Sequence, residues 1–132
     1  MPSLTTRRRF LQYAGTAATA ALGAPLALAQ GDAFPSRPIR IVVGYPPGQT
    51  VDSSARALAI ALSDILGKPV YVENKAGANG ILGAQEVRQA APDGHTLLIA
   101  SPGTLLVNPQ IYKGVRYRLS SFEPVIALSN FT

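Results

Sequence analysis

The sequence predicts an α/β fold: an open, mostly parallel sheet with helices on both faces. Two observations carry that prediction. Three short runs rich in β-branched and aliphatic residues are nearly continuous in apolar character, as strands buried on both sides are. Between them lie stretches with helical spacing, each entered through a loop of Gly, Pro and small residues. Alternation of this kind, with right-handed crossovers, builds a parallel sheet.

Taken in order, Gln30–Arg37 is polar and carries prolines, which predicts an extended arm. Ile39–Val43 is the first strand, and the Pro46-Pro47-Gly48 segment after it excludes regular structure. Over Asp52–Leu66, the residues Ala55, Leu58, Ala59, Leu62, Ile65 and Leu66 recur at helical spacing and predict one buried face. Gly67 stops this helix, and Pro69 lies just beyond. Val70–Glu73 is the second strand and Asn74–Gly80 a loop of small residues. A second helix spans Ile81–Ala91, Pro92-Asp93-Gly94 turns the chain, and Thr96–Ala100 is the third strand. Thr104–Pro109 reads as a short helical turn and Glu123–Leu128 as a fourth strand. Tyr112, Tyr117 and Phe122 read as packing residues, and Arg116 and Arg118 as exposed.

Composition removes several function classes. The 132 residues include no Cys and a single His, so disulfide frameworks, Cys-ligated clusters, zinc fingers and multi-histidine metal sites are excluded. The net charge of +5 does not indicate a nucleic-acid partner. Arg7, Arg8 and Arg9 form one block at the front, and the remainder from residue 30 holds 9 basic and 7 acidic residues. Residues 1–29 read as an export signal. The basic block precedes an acid-free, Ala/Leu-rich stretch ending in Ala27-Leu28-Ala29, a small-x-small cleavage pattern. Thr6-Arg7-Arg8-Arg9-Phe10-Leu11-Gln12 resembles the twin-arginine motif, with Gln12 where Lys is usual. Tyr13–Leu28 is shorter than the ~20 apolar residues of a spanning helix. The expected product is therefore exported from a bacterial cytoplasm and soluble after cleavage.

The predicted loops after the three strands fall on one edge of such a sheet, the carboxyl edge, where ligands of open α/β sheets bind. They are Gly44–Asp52, Asn74–Gly80 and Ser101–Thr104. Helix N-termini there offer unpaired N–H groups and partial positive charge to an anion. Small residues keep side chains clear of those amides; a set of plain tight turns is the alternative. Gly77, Gly80 and Gly83 do not have dinucleotide-fingerprint spacing, and neither a Gly-Lys-Ser/Thr loop nor a G-x-S-x-G elbow occurs. His95 lies at the amino end of the third strand, away from these loops. Asp52 reads either as a helix-start residue serving the dipole or as a catalytic carboxylate. Lys75 either counters an anionic ligand or is plain surface, while Glu73 is solvated or paired with a basic neighbour.

The ordered segments resemble the periplasmic solute receptors of tripartite tricarboxylate transporters, the Bug-type proteins. They include Phe34–Val43, Tyr45-Pro46-Pro47-Gly48 with Asp52, Leu66–Val70, Val72–Ala78, Ala91–Leu98, Asn108-Pro109, Tyr112 and Phe122–Val125. The resemblance implies the first lobe of a type II periplasmic-binding-protein fold over residues 30–132, apparently truncated, with a second lobe missing beyond Thr132. It implies a monomeric receptor rather than an enzyme, with no cofactor and no metal. Such a receptor holds a small organic carboxylate by backbone amides and serves a membrane permease. Carried onto this chain, the ligand-binding positions are Tyr45, Pro47, Gly48, Gln49, Thr50, Asp52, Ala76, Gly77, Ala78, Asn79, Gly80, Ser101 and Thr104. Two departures stand out: Gln49 replaces a usual second glycine, and Ala76–Gly80 varies the family's second loop. The alternatives are a periplasmic sensory ligand-binding protein, and an enzyme on an anionic substrate using Asp52 or His95.

Overall fold

The computed structural model describes residues 33–128. The expected export signal, residues 1–29, with its expected cleavage point, lies outside the described residues. Strand β1 (Ile39–Val43) is followed by helix α1 (Thr50–Leu66), strand β2 (Val70–Asn74), helix α2 (Ile81–Gln89) and strand β3 (Thr96–Ile99). A π-helical turn (Gly103–Val107) then runs into a short helix α3 (Asn108–Ile111). Gly67 ends α1 in the left-handed region (φ 62°), its N–H returning to Ser63 O.

The three strands are parallel, in the order β2-β1-β3. Ile41 sits opposite Val72 on one side and Leu97 on the other. Because β1→β2 steps one way and β2→β3 steps back across β1, right-handed crossovers put α1 and α2 on opposite faces. Side chains follow that division. Ile39, Ile41 and Val43 pack with Ala55 and Ala59 of α1. Val42 points to the other face, under Gly83 of α2. On that same face Arg40 bridges Glu73 (2.9 Å) and Glu86 (2.6 Å), tying β1 to β2 and α2. Reversal of winding direction at β1 makes its carboxyl end the switch point at which ligands of open α/β sheets bind.

Three expectations are corrected. Glu123–Leu128 forms no strand: β-branched residues favour extension, but a strand also needs a ladder partner, and Val125 and Ile126 are exposed instead. Ile65 is 78% exposed. Ten residues past Ala55, it lies about 80° off the helix face that Ala55 centres. Tyr112 is also exposed, whereas Tyr117 is buried edge-on against Phe122 beneath α2.

Candidate functional site

The three strand-ending loops meet at the carboxyl edge because glycine permits the approach. A Cβ on Gly44 would lie 2.6 Å from the Cα of Gly80. One on Gly80 would lie 2.7 Å from the Thr104 hydroxyl. Backbone contact between the first and second loops, and the approach of the Thr104 side chain to the second, thus depend on those two positions lacking side chains.

Side chains stitch the loops together. The Tyr45 hydroxyl is 2.8 Å from that of Ser101 and 2.9 Å from that of Thr104, and these two are 3.3 Å apart. Thr104 Oγ1 also reaches Asn79 O at 3.4 Å. Three hydroxyls have three protons, so at most three of these four contacts are donated at once. The Thr104 amide is likewise taken, by Ser101 O at 3.1 Å. Deeper, Asn108 is wholly buried; its Nδ2 donates to Asn79 O (2.9 Å) while its Oδ1 accepts from Asn79 Nδ2 (3.1 Å). Tyr117 OH donates to Thr104 O at 2.7 Å, and burial raises its pKa.

Asp52 braces the first loop. Its carboxylate accepts from Arg56 Nε (2.9 Å), Gly48 N (2.9 Å) and Asn74 Nδ2 (2.8 Å). The Arg56 guanidinium first, then the Gly48 and Asn74 donors, hold this carboxyl well below the usual carboxylate range. Asn74 in turn donates to Tyr45 O at 3.0 Å. Lys75 pairs with Glu73 (2.8 Å) and approaches Glu86 (3.6 Å), and its pKa is raised mainly by Glu73. That pairing directs its charge along the α2 face of the sheet.

What stays open is backbone. Ser53 N is the first amide of α1 with a helical partner, Gln49 O, and the Gln49 side chain makes no cap. The N–H groups of Thr50, Val51 and Asp52 are therefore the helix's unpaired first-turn donors. In the second loop Gly80 N bonds Gly77 O and Ile81 N bonds Ala78 O. The amides of Ala78 and Asn79 donate to no group among the described residues. Both residues have positive φ (45° and 56°), between Gly77 (149°) and Gly80 (86°). The left-handed region costs roughly 1–2 kcal/mol for residues other than glycine, with Asn the better tolerated.

All thirteen positions carried over from the resemblance lie on this edge. Pro47, Gly48, Gln49, Thr50, Ala76, Ala78 and Asn79 are exposed along the rim, and Gly77 is half-buried. Tyr45 and Ser101 are half-buried, and Asp52, Gly80 and Thr104 are buried. Tyr45, Asp52, Ser101 and Thr104 turn their polar side-chain atoms inward, where they hold the loops. His95 lies at the opposite edge, buried against Phe34. Among the described residues, no cluster of His, Asp and Glu could hold a metal ion. Asn108 and Arg56 were missed as site residues; Asn108-Pro109 in the family-like segments was the signal for the first.

A family model described as the tripartite tricarboxylate transporter family receptor matches residues 54–132. The chain belongs to this family. It is a family of solute-binding receptors, the Bug-type proteins among them. The chain is 41% identical to BugT of Bordetella pertussis over 110 residues, 82% of this chain and 33% of that protein. It is also similar to MatC of Rhodopseudomonas palustris, solved with bound malate. That likeness has a TM-score of 0.61 at 37% identity over 65% of this chain and 29% of MatC. A third relative, an R. palustris protein solved with adipate, gives a TM-score of 0.62 at 31% identity over 66% of this chain and 29% of that one. The fold neighbours are thus periplasmic binding proteins. The chain spans about a third of the length of the curated relatives it matches. No described helix is long and apolar enough to cross a membrane.

Proposed function

We propose that this chain forms the capturing lobe of a periplasmic receptor for a small organic carboxylate, which it presents to a membrane permease. The observation that carries this reading is the set of open amides at one edge: Thr50, Val51 and Asp52 from α1, and Ala78 and Asn79 from the second loop. Backbone donors at a helix start suit a carboxylate because they combine N–H groups with the positive end of the helix dipole. The buried and half-buried side-chain donors Tyr45, Ser101, Thr104 and Asn108 are bonded to one another or to Asn79. Malate in MatC and adipate in the second R. palustris neighbour set the expected class at dicarboxylates.

Binding rather than catalysis follows from the two titratable candidates. Asp52 is held ionised by Arg56, Gly48 and Asn74, far from the range in which a carboxyl exchanges protons near neutrality. His95 is at the wrong edge. Residues 1–29 supply the route to the periplasm, and the receptor acts there as a monomer.

One edge leaves most of a ligand in water, so the affinity of these residues alone is weak. We expect a Kd around 1 mM, about −4 kcal/mol. A titration of the isotopically labelled chain with malate, followed by amide NMR, tests this. Shifts concentrated at residues 49–52 and 78–79 are expected. A response confined to the amino edge, or none at a malate concentration several-fold above that Kd, would overturn the reading.

A further inference from the structure

We propose that Asn108 is the positioning residue of the second loop, aiming the Ala78 and Asn79 amides at the ligand through its paired amide contact with Asn79. This rests on the carboxylate-capture reading above and assigns part of that site to a residue the ligand does not touch.

Four successive residues, Gly77, Ala78, Asn79 and Gly80, have positive φ. Two of them carry a Cβ, so the turn is not one the local sequence favours, and something outside it must hold it. The local contacts, Gly80 N to Gly77 O and Ile81 N to Ala78 O, are bonds a right-handed turn would also form. The external hold is Asn108. It donates to Asn79 O and accepts from Asn79 Nδ2, so it grips both the backbone and the side chain of the residue at the centre of the turn. Thr104 adds a longer contact of 3.4 Å to the same carbonyl. Fixing the direction of the Asn79 carbonyl fixes the next peptide plane, and the side-chain contact fixes Asn79 itself. The Ala78 and Asn79 N–H groups donate to no group among the described residues.

Asn108 can do this because it is wholly buried, so no water competes for its amide. It is aimed by the turn before it. The π-helical turn Gly103–Val107 holds an extra residue, and each residue rotates the following side chain by about 100°. Asn108 thereby faces the second loop at the start of α3. Removing its donor leaves Asn79 O without that partner and frees a run of left-handed residues to relax.

The test uses the labelled chain and three variants: Asn108→Ala; Asn108→Asp, which keeps the shape and loses the donor; and Asn108→Ala combined with Ala78→Gly. Two quantities are read: the HN–Hα couplings of Ala78 and Asn79, which report φ, and the malate-induced shifts at 49–52 and 78–79. In both single variants the couplings move toward averaged values. Malate shifts at 78–79 fall at least threefold, while those at 49–52 persist. Ala78→Gly, which removes the steric cost of positive φ, restores part of the response at 79. A merely structural asparagine would lower thermal stability without that selective loss and without rescue. Couplings and malate shifts that stay unchanged in a folded Asn108→Asp or Asn108→Ala chain would overturn the proposal. If Asn108→Ala fails to fold, Asn108→Asp decides. If the unmodified chain ignores malate, the capture reading fails, and unchanged couplings in the variants would separately refute the clamp.

Discussion

At the amino edge of the sheet, backbone N–H groups are met as the chain enters each strand. Val70 N donates to Ser63 Oγ (2.8 Å), Ile39 N to Pro69 O (3.0 Å), Arg40 N to His95 O (2.8 Å) and His95 N to Asp93 Oδ1 (3.0 Å). At the carboxyl edge, polar side chains mostly bond one another or a carbonyl: Tyr45 with Ser101 and Thr104, Asn79 with Asn108, Asn74 with Asp52 and Tyr45 O. Among the described residues, the amides of Thr50–Asp52, Ala78 and Asn79 are left over. Both edges are well hydrogen-bonded, so density of contacts does not separate a closed end from a receptive one. What separates them is which partner the backbone donors receive, and a buried donor without one is costly unless water or a ligand reaches it.

The contrast can be broken hardest at the glycines. Gly44→Ala places a methyl 2.6 Å from the Gly80 backbone, which cannot swing away. At the amino edge Gly94→Ala meets the Phe34 ring at 3.0 Å, but that ring is exposed and free to move. Overpacking at the first site is expected to destabilise by about 1–3 kcal/mol or more. The second, at φ 79°, carries mainly the left-handed cost of roughly 1–2 kcal/mol. Urea unfolding of the two variants compares them, and a larger loss at Gly94 would reverse the ranking.

Tyr45→Phe removes one corner of the hydroxyl triangle. Ser101 and Thr104 still have each other, so a loss of about 1 kcal/mol is expected in calorimetric melting. Amide exchange should quicken in the first and third loops while residues 34–37 and 93–95 stay unchanged. Uniform quickening at both edges would contradict the independence of the two ends.

Each edge also holds one strongly depressed aspartate. Asp52 is kept ionised chiefly by Arg56. Asp93 is lowered to about 2 by the His95 N–H and then Arg37. A carboxyl with a folded pKa below its unfolded value of ~3.9 stabilises above that value and loses the contribution as pH falls through the folded pKa. Stability is therefore expected to be level from neutrality down to about pH 5 and to decline steadily from about pH 4 toward pH 2. Asp52→Asn and Asp93→Asn should each flatten part of that acid limb in urea midpoints measured across pH. Only Asp52→Asn should also blunt the malate response at 49–52.

The smallest effect belongs to Arg37, whose 2.7 Å bridge to Asp93 joins two exposed side chains. Arg37→Ala is expected to cost ~0.2–1 kcal/mol, with the difference shrinking at high salt. A cost above ~2 kcal/mol that ignores salt would show the amino edge to depend on that pair more than a surface bridge allows.

By itself the sequence determined the alternation of strands and helices, the stop at Gly67, and the glycine-rich character of the first two loops. These rest on local sterics and on hydrophobic period, which act over a few residues and need no knowledge of partners. It overreached where a period lacked a partner, as in the unformed strand at Glu123–Leu128 and the exposed Ile65. Only the tertiary structure decided that Asp52 serves Arg56, Gly48 and Asn74. It also decided that the Ser101 and Thr104 hydroxyls meet that of Tyr45, and that Asn108 grips Asn79. The Asn74, Tyr45 and Asn108 pairings join residues 22 to 59 positions apart. Such pairings exist because the β2-β1-β3 order brings three loop ends to one edge, and strand order is a property of the whole packed sheet that no short window of residues encodes.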